Sequence, residues 1–263
     1  MYIALRGCFR FILRFFGLGL VRNSELNSLR IEKIEYDNLR VKLEFFLEII
    51  FNPTLKSKIS IDDLVNESKS ESGQDLFALI ANEFLENKVF IEIGAFDGVT
   101  FSNSYLLEKS FNWDGILVEC IPRNFSKIKN SRKCISIFGA VSNEDGHTIE
   151  VIESPAANLS STIHNSTDSR WRTISHQVPN YSLDVILEMG ADMGGIGFLS
   201  VDIEGAEFMV LKDIDLSRYS IKAICIEHNF RPESQDLKRL IESQGYRSVY
   251  EEFSGNDFWF IRD

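Results

Sequence analysis

Two short apolar runs, each with acidic residues at its end, constrain this chain more than any other feature. The run VFIEI at 89–93 leads into the loop GAFDG at 94–98, and the run GILV at 115–118 leads into Glu119. Apolar runs of this length are typical of buried strands, and glycines allow a sharp turn between a strand and the following helix. The pattern predicts an α/β fold with a ligand pocket at the carboxyl edge of its sheet.

The following residues continue this alternation. Strands are predicted at 89–93, 115–119, 134–140, 196–201 and 222–228, and helices at 103–110, 123–130, 182–189, 206–212 and 233–244. Such an alternation of strands and helices implies a mainly parallel sheet with helices on both faces. Residues 246–251 and 257–261 flank a turn sequence, which predicts a closing antiparallel hairpin. Residues 153–181 are predicted to be a long irregular insert that carries substrate contacts, among them His164, Trp171 and His176.

Residues 1–73 are predicted to form a helical extension and linker, and residues 74–263 the main domain. Arginines spaced four apart give residues 1–22 a basic helical face. This face suits either peripheral contact with an anionic membrane or packing against the protein itself or a partner. Residues 24–51 contain a short heptad pattern, which fits a homodimer contact or ordinary packing.

The net charge and the cysteine spacing restrict which binding partners and which cellular compartment are expected. The formal net charge of the 263 residues is -11, and an acidic chain repels phosphate backbones, so no nucleic-acid partner is expected. The four cysteines include no C-x-x-C pair and no zinc-type spacing. We therefore expect reduced thiols and a cytoplasmic protein, located at the inner membrane surface if residues 1–22 bind there.

The glycine loop discriminates between nucleoside ligands. Phe96 stands where a dinucleotide-binding loop needs a glycine, and its ring would crowd a pyrophosphate. Glu92 and Asp97 would repel pyrophosphate but attract the ammonium and sulfonium of S-adenosylmethionine. The alternatives are a buried, hydrogen-bonded Glu92 and an Asp97 that caps the following helix with Ser102.

The second and third strands supply the remaining parts of a nucleoside pocket. Glu119 lies about 20 residues after the glycine loop, where a carboxylate accepts hydrogen bonds from ribose hydroxyls. Small residues from Gly139 to Ser142, among them Ala140 and Val141, would leave room for adenine.

Acidic residues cluster again after the next two strands. Asp202, Glu204 and Glu207 follow the strand at 196–201, while Glu227 and His228 end its neighbour. In one interpretation Asp202 or His228 is a general base for a hydroxyl acceptor. In another, Asp202 and Glu227 hold a divalent cation such as Mg²⁺. A third is structural, with Glu204 or Glu207 capping the next helix.

At these residues the chain resembles the FkbM family of S-adenosylmethionine-dependent methyltransferases. The resemblance rests on the strings FIEIGAFDGVTFSNSYLLE, WDGILVECIP, GAVS, YSLDVI, FLSVDIEGAEFMVL, IEHN and the terminal FWF, over residues 75–263. It implies a Rossmann-like class I methyltransferase fold, with a seven-stranded sheet whose last strand is antiparallel. It also implies methyl transfer, usually to oxygen, on sugars or other secondary metabolites.

Together, the motifs and the resemblance define the expected site. The residues expected to contact the cofactor are Glu92, Gly94, Ala95, Asp97, Gly98, Ser102, Asn103, Glu119, Ala140, Val141 and Asp202. Asp202 is placed at the reaction centre, and the expected partner is a small-molecule or glycan acceptor. The rival functions are a non-catalytic cofactor-binding scaffold of a membrane-associated glycan assembly complex and a nicotinamide-dependent oxidoreductase.

Overall fold

The computed structural model describes residues 59–154, 159–161, 174–252 and 254–262. The chain divides between Ser68 and Lys69 into two compact units. In the first, helix α1 covers Ile61–Glu67, and the Ser60 hydroxyl caps it by accepting a hydrogen bond from the Asp63 N–H at 3.1 Å.

The second unit contains the remaining elements. Its helices are α2 (Gln74–Ala81), α3 (Tyr105–Phe111), α4 (Pro122–Ser131), α5 (Leu183–Asp192), α6 (Glu207–Leu211) and α7 (Ser234–Ser243), with a 3₁₀ turn at Leu216–Tyr219. Its strands are β1 (Val89–Ile93), β2 (Asp114–Glu119), β3 (Ile135–Phe138), β4 (Ala140–Ser142), β5 (Thr148–Ser154), β6 (Leu159–Ser161), β7 (Ile174–Ser182), β8 (Ile196–Val201), β9 (Ala223–Glu227), β10 (Tyr246–Val249) and β11 (Asp257–Arg262).

Seven of these strands form the main sheet, in the order β10-β11-β9-β8-β1-β2-β3. Strands β3, β2, β1, β8 and β9 are parallel, whereas β11 is antiparallel to both of its neighbours. From β1 the strands β2 and β3 follow on one side and β8 and β9 on the other. The connections leave β1 in opposite directions, so the carboxyl ends of β1 and its neighbours border one crevice. The predicted fold, a Rossmann-like mostly parallel sheet with an antiparallel last strand, is confirmed.

Apolar strands and covering helices build the core of this unit. Every residue of β1 and of β8 is buried, as expected for parallel strands covered on both faces. Near β11, the Trp259 ring stacks on Phe77 of α2 with 4.9 Å between ring centroids. The rigid sheet therefore fixes the positions of the polar side chains at its carboxyl edge.

The described residues of the insert predicted as an irregular loop, 153–154, 159–161 and 174–181, all lie in strands of a second sheet, so the prediction was wrong for these residues. Strands β4, β7, β5 and β6 pair in this order. The alternation of Ile149, Val151 and Glu153 gives β5 an inward face, and Val151 packs with Ile121 and Val178. The sequence contains this alternation of two residues, but the polar residues within and around β5 made the segment resemble a loop.

The third predicted strand, 134–140, is also two elements rather than one. The chain leaves the main sheet at Gly139, and β4 joins the second sheet beside β7. A Cβ on Gly139 would lie 2.6 Å from the Tyr181 ring, so only glycine allows this close passage.

Several sequence predictions lie outside the described residues. These are the basic helix at 1–22, the heptad helix at 24–51, and the loop contacts His164 and Trp171. Among the helices that the structure does describe, none combines the length and apolarity needed to cross a bilayer.

Candidate active site

A close approach between two strand ends forms the centre of the site. Gly94 follows β1 with a φ of 85°, and a Cβ there would lie 1.8 Å from the carbonyl oxygen of Asp202. The Asp202 N–H donates to the Ile93 carbonyl at 3.0 Å. Glycine at position 94 therefore allows the loop after β1 to lie directly against the end of β8.

Two adjoining cavities open at this edge of the sheet. The main cavity has a volume of about 340 Å³ and is lined by Glu92, Ala95, Ser102, Asn103, Glu119 and Asp202, among others. The narrow cavity has about 40 Å³ and an apolar wall that includes Val118, Ala140, Val141 and Val151. Gly94, Glu119 and Asp202 line both cavities. The structure thus brings most of the predicted cofactor residues together.

Glu92 lies in the wall of the main cavity, but its carboxylate is held by the protein. Ser102 donates to it at 2.9 Å, the Asn103 N–H donates at 2.8 Å, and the Ser104 hydroxyl donates as well. The residue is only 4% exposed. These contacts favour the structural interpretation of Glu92, and its role as a cofactor ligand stays a prediction.

A buried arginine that the sequence analysis missed holds the same loop. Arg132 donates to the Gly98 carbonyl at 2.9 Å, to the Ser102 hydroxyl at 3.1 Å and to the Ser104 hydroxyl at 2.9 Å. Its Nε donates to Glu108 at 2.7 Å, and its Nη1 lies 4.0 Å from Glu92. No pattern in the sequence distinguishes this arginine, at the end of α4, from an exposed basic residue.

Two predicted cofactor residues support the loop without lining either cavity, as far as the structure describes their surroundings. The Asp97 carboxylate accepts hydrogen bonds from the N–H groups of Val99 and Thr100, at 3.0 and 2.7 Å. Gly98 lies against Arg132 and Ile128 on α4. Asp97 therefore caps a turn, which resembles the alternative predicted for it, although its partners differ.

Glu119 ends β2 between the two cavities and is only 4% exposed. Burial raises the pKa of its carboxyl to about 7, although the N–H groups of Ile121, Phe96 and Cys120 and the Asn124 side chain all oppose the rise. A carboxylate with so much remaining desolvation cost gains from further hydrogen-bond donors. This is the chemistry expected of a ligand-binding acid.

Three carboxylates meet where β8 and β9 end. Oxygens of Asp202, Glu204 and Glu227 all lie within 4.8 Å of one another. Burial and the nearby Glu227 charge raise the pKa of Asp202 well above its usual range, and burial raises those of Glu204 and Glu227 to about 7. The cluster therefore holds protons near neutral pH unless positive charge enters it.

The neighbouring acid Glu207 has a different role. Its Oε1 accepts hydrogen bonds from the N–H groups of Ile203 and Gly205, both at 3.0 Å. Of the two acids that the sequence offered for a structural role, Glu207 stabilises the loop while Glu204 joins the cluster.

The structure does not bring His228 into the main cavity. Its ring packs on Phe258, with 4.1 Å between centroids, and lines a separate cavity with Arg231 and Leu237. Its Nδ1 accepts from the Phe230 N–H at 3.0 Å, and burial lowers its pKa. Of the two predicted bases, only Asp202 faces the cavities where the cofactor is expected.

The second sheet contributes part of the opposite wall. Glu153 and Arg123 line the main cavity, and the Arg123 Nε lies 2.5 Å from the Glu153 carboxylate. His176, predicted as a substrate contact, lies behind this pair with its Nε2 at 2.8 Å from Glu153. Its contacts with a substrate stay a prediction.

The sheet order and the acidic, glycine-bearing edge define a Rossmann-like domain with a nucleoside-sized cleft. The model of the methyltransferase FkbM domain matches residues 92–248. The chain therefore belongs to the FkbM methyltransferase domain family, as the sequence predicted.

Solved structures also match this chain, at low sequence identity. A methyltransferase FkbM from Methylobacillus flagellatus is 12% identical with a TM-score of 0.43, and the match covers 86% of this chain and 60% of that one. A fibrillarin from Aeropyrum pernix, in complex with natively bound S-adenosyl-L-methionine, is 13% identical over 73% of this chain and 74% of its own, with a TM-score of 0.37. A comparison with curated protein sequences finds no match.

Proposed function

We propose that this protein transfers a methyl group from S-adenosylmethionine to a hydroxyl oxygen of a sugar, glycan or related metabolite. Family membership supports the methyl transfer. The observation that carries the cofactor assignment is Glu119, a buried acid with its pKa raised to about 7 that lies between an apolar cavity and a larger polar one.

The residues present fit this cofactor better than a nicotinamide dinucleotide. The narrow cavity offers apolar walls for adenine, Glu119 offers an acceptor for ribose hydroxyls, and the main cavity has a usual ligand-site volume. The clustered acids beside Asp202 favour a cationic ligand and repel pyrophosphate. Phe96 also lines the main cavity, where its ring leaves less room for a dinucleotide.

When bound, S-adenosylmethionine supplies an electrophilic methyl group, whose bond to sulfur breaks with the electron pair remaining on sulfur. Asp202 would accept the proton of the acceptor hydroxyl while that oxygen forms its bond to carbon. Because burial and neighbouring acids raise the pKa of Asp202, its ionised form is a stronger base than an ordinary carboxylate. The loop held by Arg132 and Glu92 positions Ser102 and Asn103 in the same wall.

Substitution of Asp202 tests this assignment. Asp202→Asn should lower methyl turnover by about 100-fold or more, the usual contribution of a general base, while S-adenosylhomocysteine affinity changes little. Radiolabelled methyl transfer and calorimetric titration measure the two quantities. The exposed Asp192→Asn is the matched control, with wild-type values for both. Wild-type turnover in Asp202→Asn would leave Asp202 a structural role, and cofactor binding without turnover on any acceptor would favour the scaffold function.

A divalent cation is the alternative role for the cluster, supported by the spacing of the Asp202, Glu204 and Glu227 oxygens. Carboxylate oxygens are the ligands that such cations prefer. If Asp202 acts as a base, EDTA should leave turnover unchanged. Turnover that is lost with EDTA and restored by Mg²⁺ would replace the general base with a metal site.

A further inference from the structure

A third cavity adjoins the main one on the side away from the narrow cavity. This side cavity, of about 190 Å³, lies over the ends of β8, β9 and β11 and shares Phe101, Asn103, Asp202 and Glu227 with the main cavity. Its other walls include Gln74 and Asp257. Asp202 lines all three cavities and therefore lies where the side cavity meets the expected cofactor cleft.

An exposed aromatic ring forms part of the side cavity wall. Phe101 is 64% exposed, and its φ of 58° is a conformation that bulky side chains rarely adopt. The loop is fixed on either side of this residue, because Arg132 bonds both the Gly98 carbonyl and the Ser102 hydroxyl. The fold thus holds an apolar ring in solvent beside the general base, at a cost of about 1 kcal/mol in backbone strain.

The polar lining of this cavity combines four acidic side chains with hydroxyl and amide side chains. Gln74 donates its amide to Asp257 at 2.6 Å, which fixes that carboxylate in the wall. The Asn103 Oδ1 atom is buried without a hydrogen-bond partner, whereas the Glu227 carboxyl group is hydrogen-bonded to Asp202. A buried acceptor without a donor is costly, so Asn103 favours a ligand that brings hydroxyl or ammonium groups.

The charge of the lining is of one sign. Glu71, Asp202, Glu227 and Asp257 are acidic, and no basic residue lines the side cavity in the part of the chain that the structure describes. At pH 8, above the pKa of about 7 for Glu227 and about 6 for Asp257, a ligand that carries a carboxylate or phosphate would meet like charges within a low-dielectric wall. An aromatic surface beside clustered acceptors instead suits a ring with one apolar face and many hydroxyl groups.

We infer that the side cavity is the acceptor subsite, that Phe101 is the surface on which a sugar ring packs, and that the subsite selects neutral and amino sugars over uronic acids and phosphorylated sugars. The inference rests on the proposed function for its link to methyl transfer. The binding preference itself depends only on the residues of the side cavity.

Three matched ligands test the preference. The β-glucoside, 2-amino-2-deoxy-β-glucoside and β-glucuronide of p-nitrophenol share one ring and differ at a single carbon, where the second has an amine at C2 and the third a carboxylate at C6. They can be titrated by calorimetry at pH 8, with and without S-adenosylhomocysteine. The amino and neutral glycosides should bind at least about tenfold more tightly than the glucuronide, a difference that salt reduces. Equal or tighter glucuronide binding overturns the inference, as does the absence of binding for all three.

The paired titrations separate this inference from the proposed function. Glycosides that bind in the expected order to a protein that does not bind S-adenosylhomocysteine would support the side cavity and contradict the methyl donor. A protein that binds S-adenosylhomocysteine but does not discriminate among the glycosides would support the methyl donor and contradict the side-cavity inference.

Two substitutions sharpen the assignment. Phe101→Leu should weaken glucoside binding about five- to tenfold through lost apolar contact, whereas Phe101→Tyr keeps it. Phe230→Leu is the matched control. Phe230 is also exposed and has a backbone φ of 52°, in the left-handed region, but it does not line the side cavity. Glu71→Lys should reverse the discrimination against the glucuronide. Unchanged glucoside affinity in Phe101→Leu, or unchanged glucuronide affinity in Glu71→Lys, contradicts the inference.

Discussion

Glu92 and Glu119 lie near the carboxyl ends of neighbouring parallel strands, and each is 4% exposed. Glu92 receives two hydroxyl donors and a backbone N–H, with the Arg132 guanidinium 4.0 Å away. For Glu119, burial outweighs the hydrogen bonds and raises the pKa to about 7. Glu92 and Glu119 look equivalent in the sequence, but they differ in the hydrogen-bond donors and positive charge that the fold places around each carboxyl group.

This difference separates structural from binding carboxylates at one sheet edge. A buried acid that the protein satisfies contributes to stability, and its removal leaves its partners uncompensated. A buried acid that the protein satisfies incompletely costs stability but gains from a ligand that donates hydrogen bonds. The substitutions below should accordingly produce opposite changes in the free energy of unfolding and in ligand affinity.

The largest effect is expected at Glu92. Glu92→Ala should lower the free energy of unfolding by about 3–5 kcal/mol, because three donors lose their acceptor and Arg132 keeps only Glu108 of its two neighbouring carboxylates. Urea denaturation measures this change. The exposed Glu144→Ala is the control and should cost less than about 0.5 kcal/mol. A loss below about 1 kcal/mol in Glu92→Ala would contradict the structural role.

Glu119→Gln should weaken S-adenosylhomocysteine binding by about 10- to 100-fold, since charge-assisted hydrogen bonds to the ligand are lost. The same variant should unfold at no lower urea concentration than the wild type at pH 8, because a buried charge has been removed. Calorimetric titration and urea denaturation measure the two effects. Unchanged affinity would exclude Glu119 from the site.

The smallest effect is expected at Asp97. Asp97→Ala removes the acceptor for two backbone N–H groups and should cost about 1 kcal/mol of unfolding free energy. The affinity for S-adenosylhomocysteine should not change, because Asp97 lines none of the main, narrow and side cavities. A tenfold loss of affinity in this variant would restore Asp97 as a cofactor ligand.

The sequence predicted the main sheet because its strands are strongly apolar and its helices alternate with them. It also predicted the loop after β1 and the acids Glu119 and Asp202, since strand ends have fixed positions in this fold. The second sheet was missed because its strands have a short alternating pattern interrupted by polar residues. Burial of β5 against Ile121 depends on contacts between distant segments.

Roles within the site were less predictable than positions. Glu92 differs from Glu119 through its donors Ser102, Asn103 and Ser104, and the loop that carries them is held by Arg132, a residue at the end of α4 that has no recognisable motif. His228 follows β9 at a promising place, but the aromatic rings of Phe258 and Phe230 hold it in another cavity. Such distinctions depend on the direction of side chains, which the order of residues does not specify.

The most direct test of the account is the proton balance of S-adenosylhomocysteine binding. Free Glu119 has a pKa of about 7, and ligand hydroxyls should lower it. Binding should therefore release roughly one proton from Glu119 at pH 6 and much less at pH 8, with affinity falling as the pH drops below 7. Calorimetry in buffers of different ionisation enthalpy should show this release in the wild type and its loss in Glu119→Gln. Equal proton release in both proteins, or no binding by the wild type, would contradict the account.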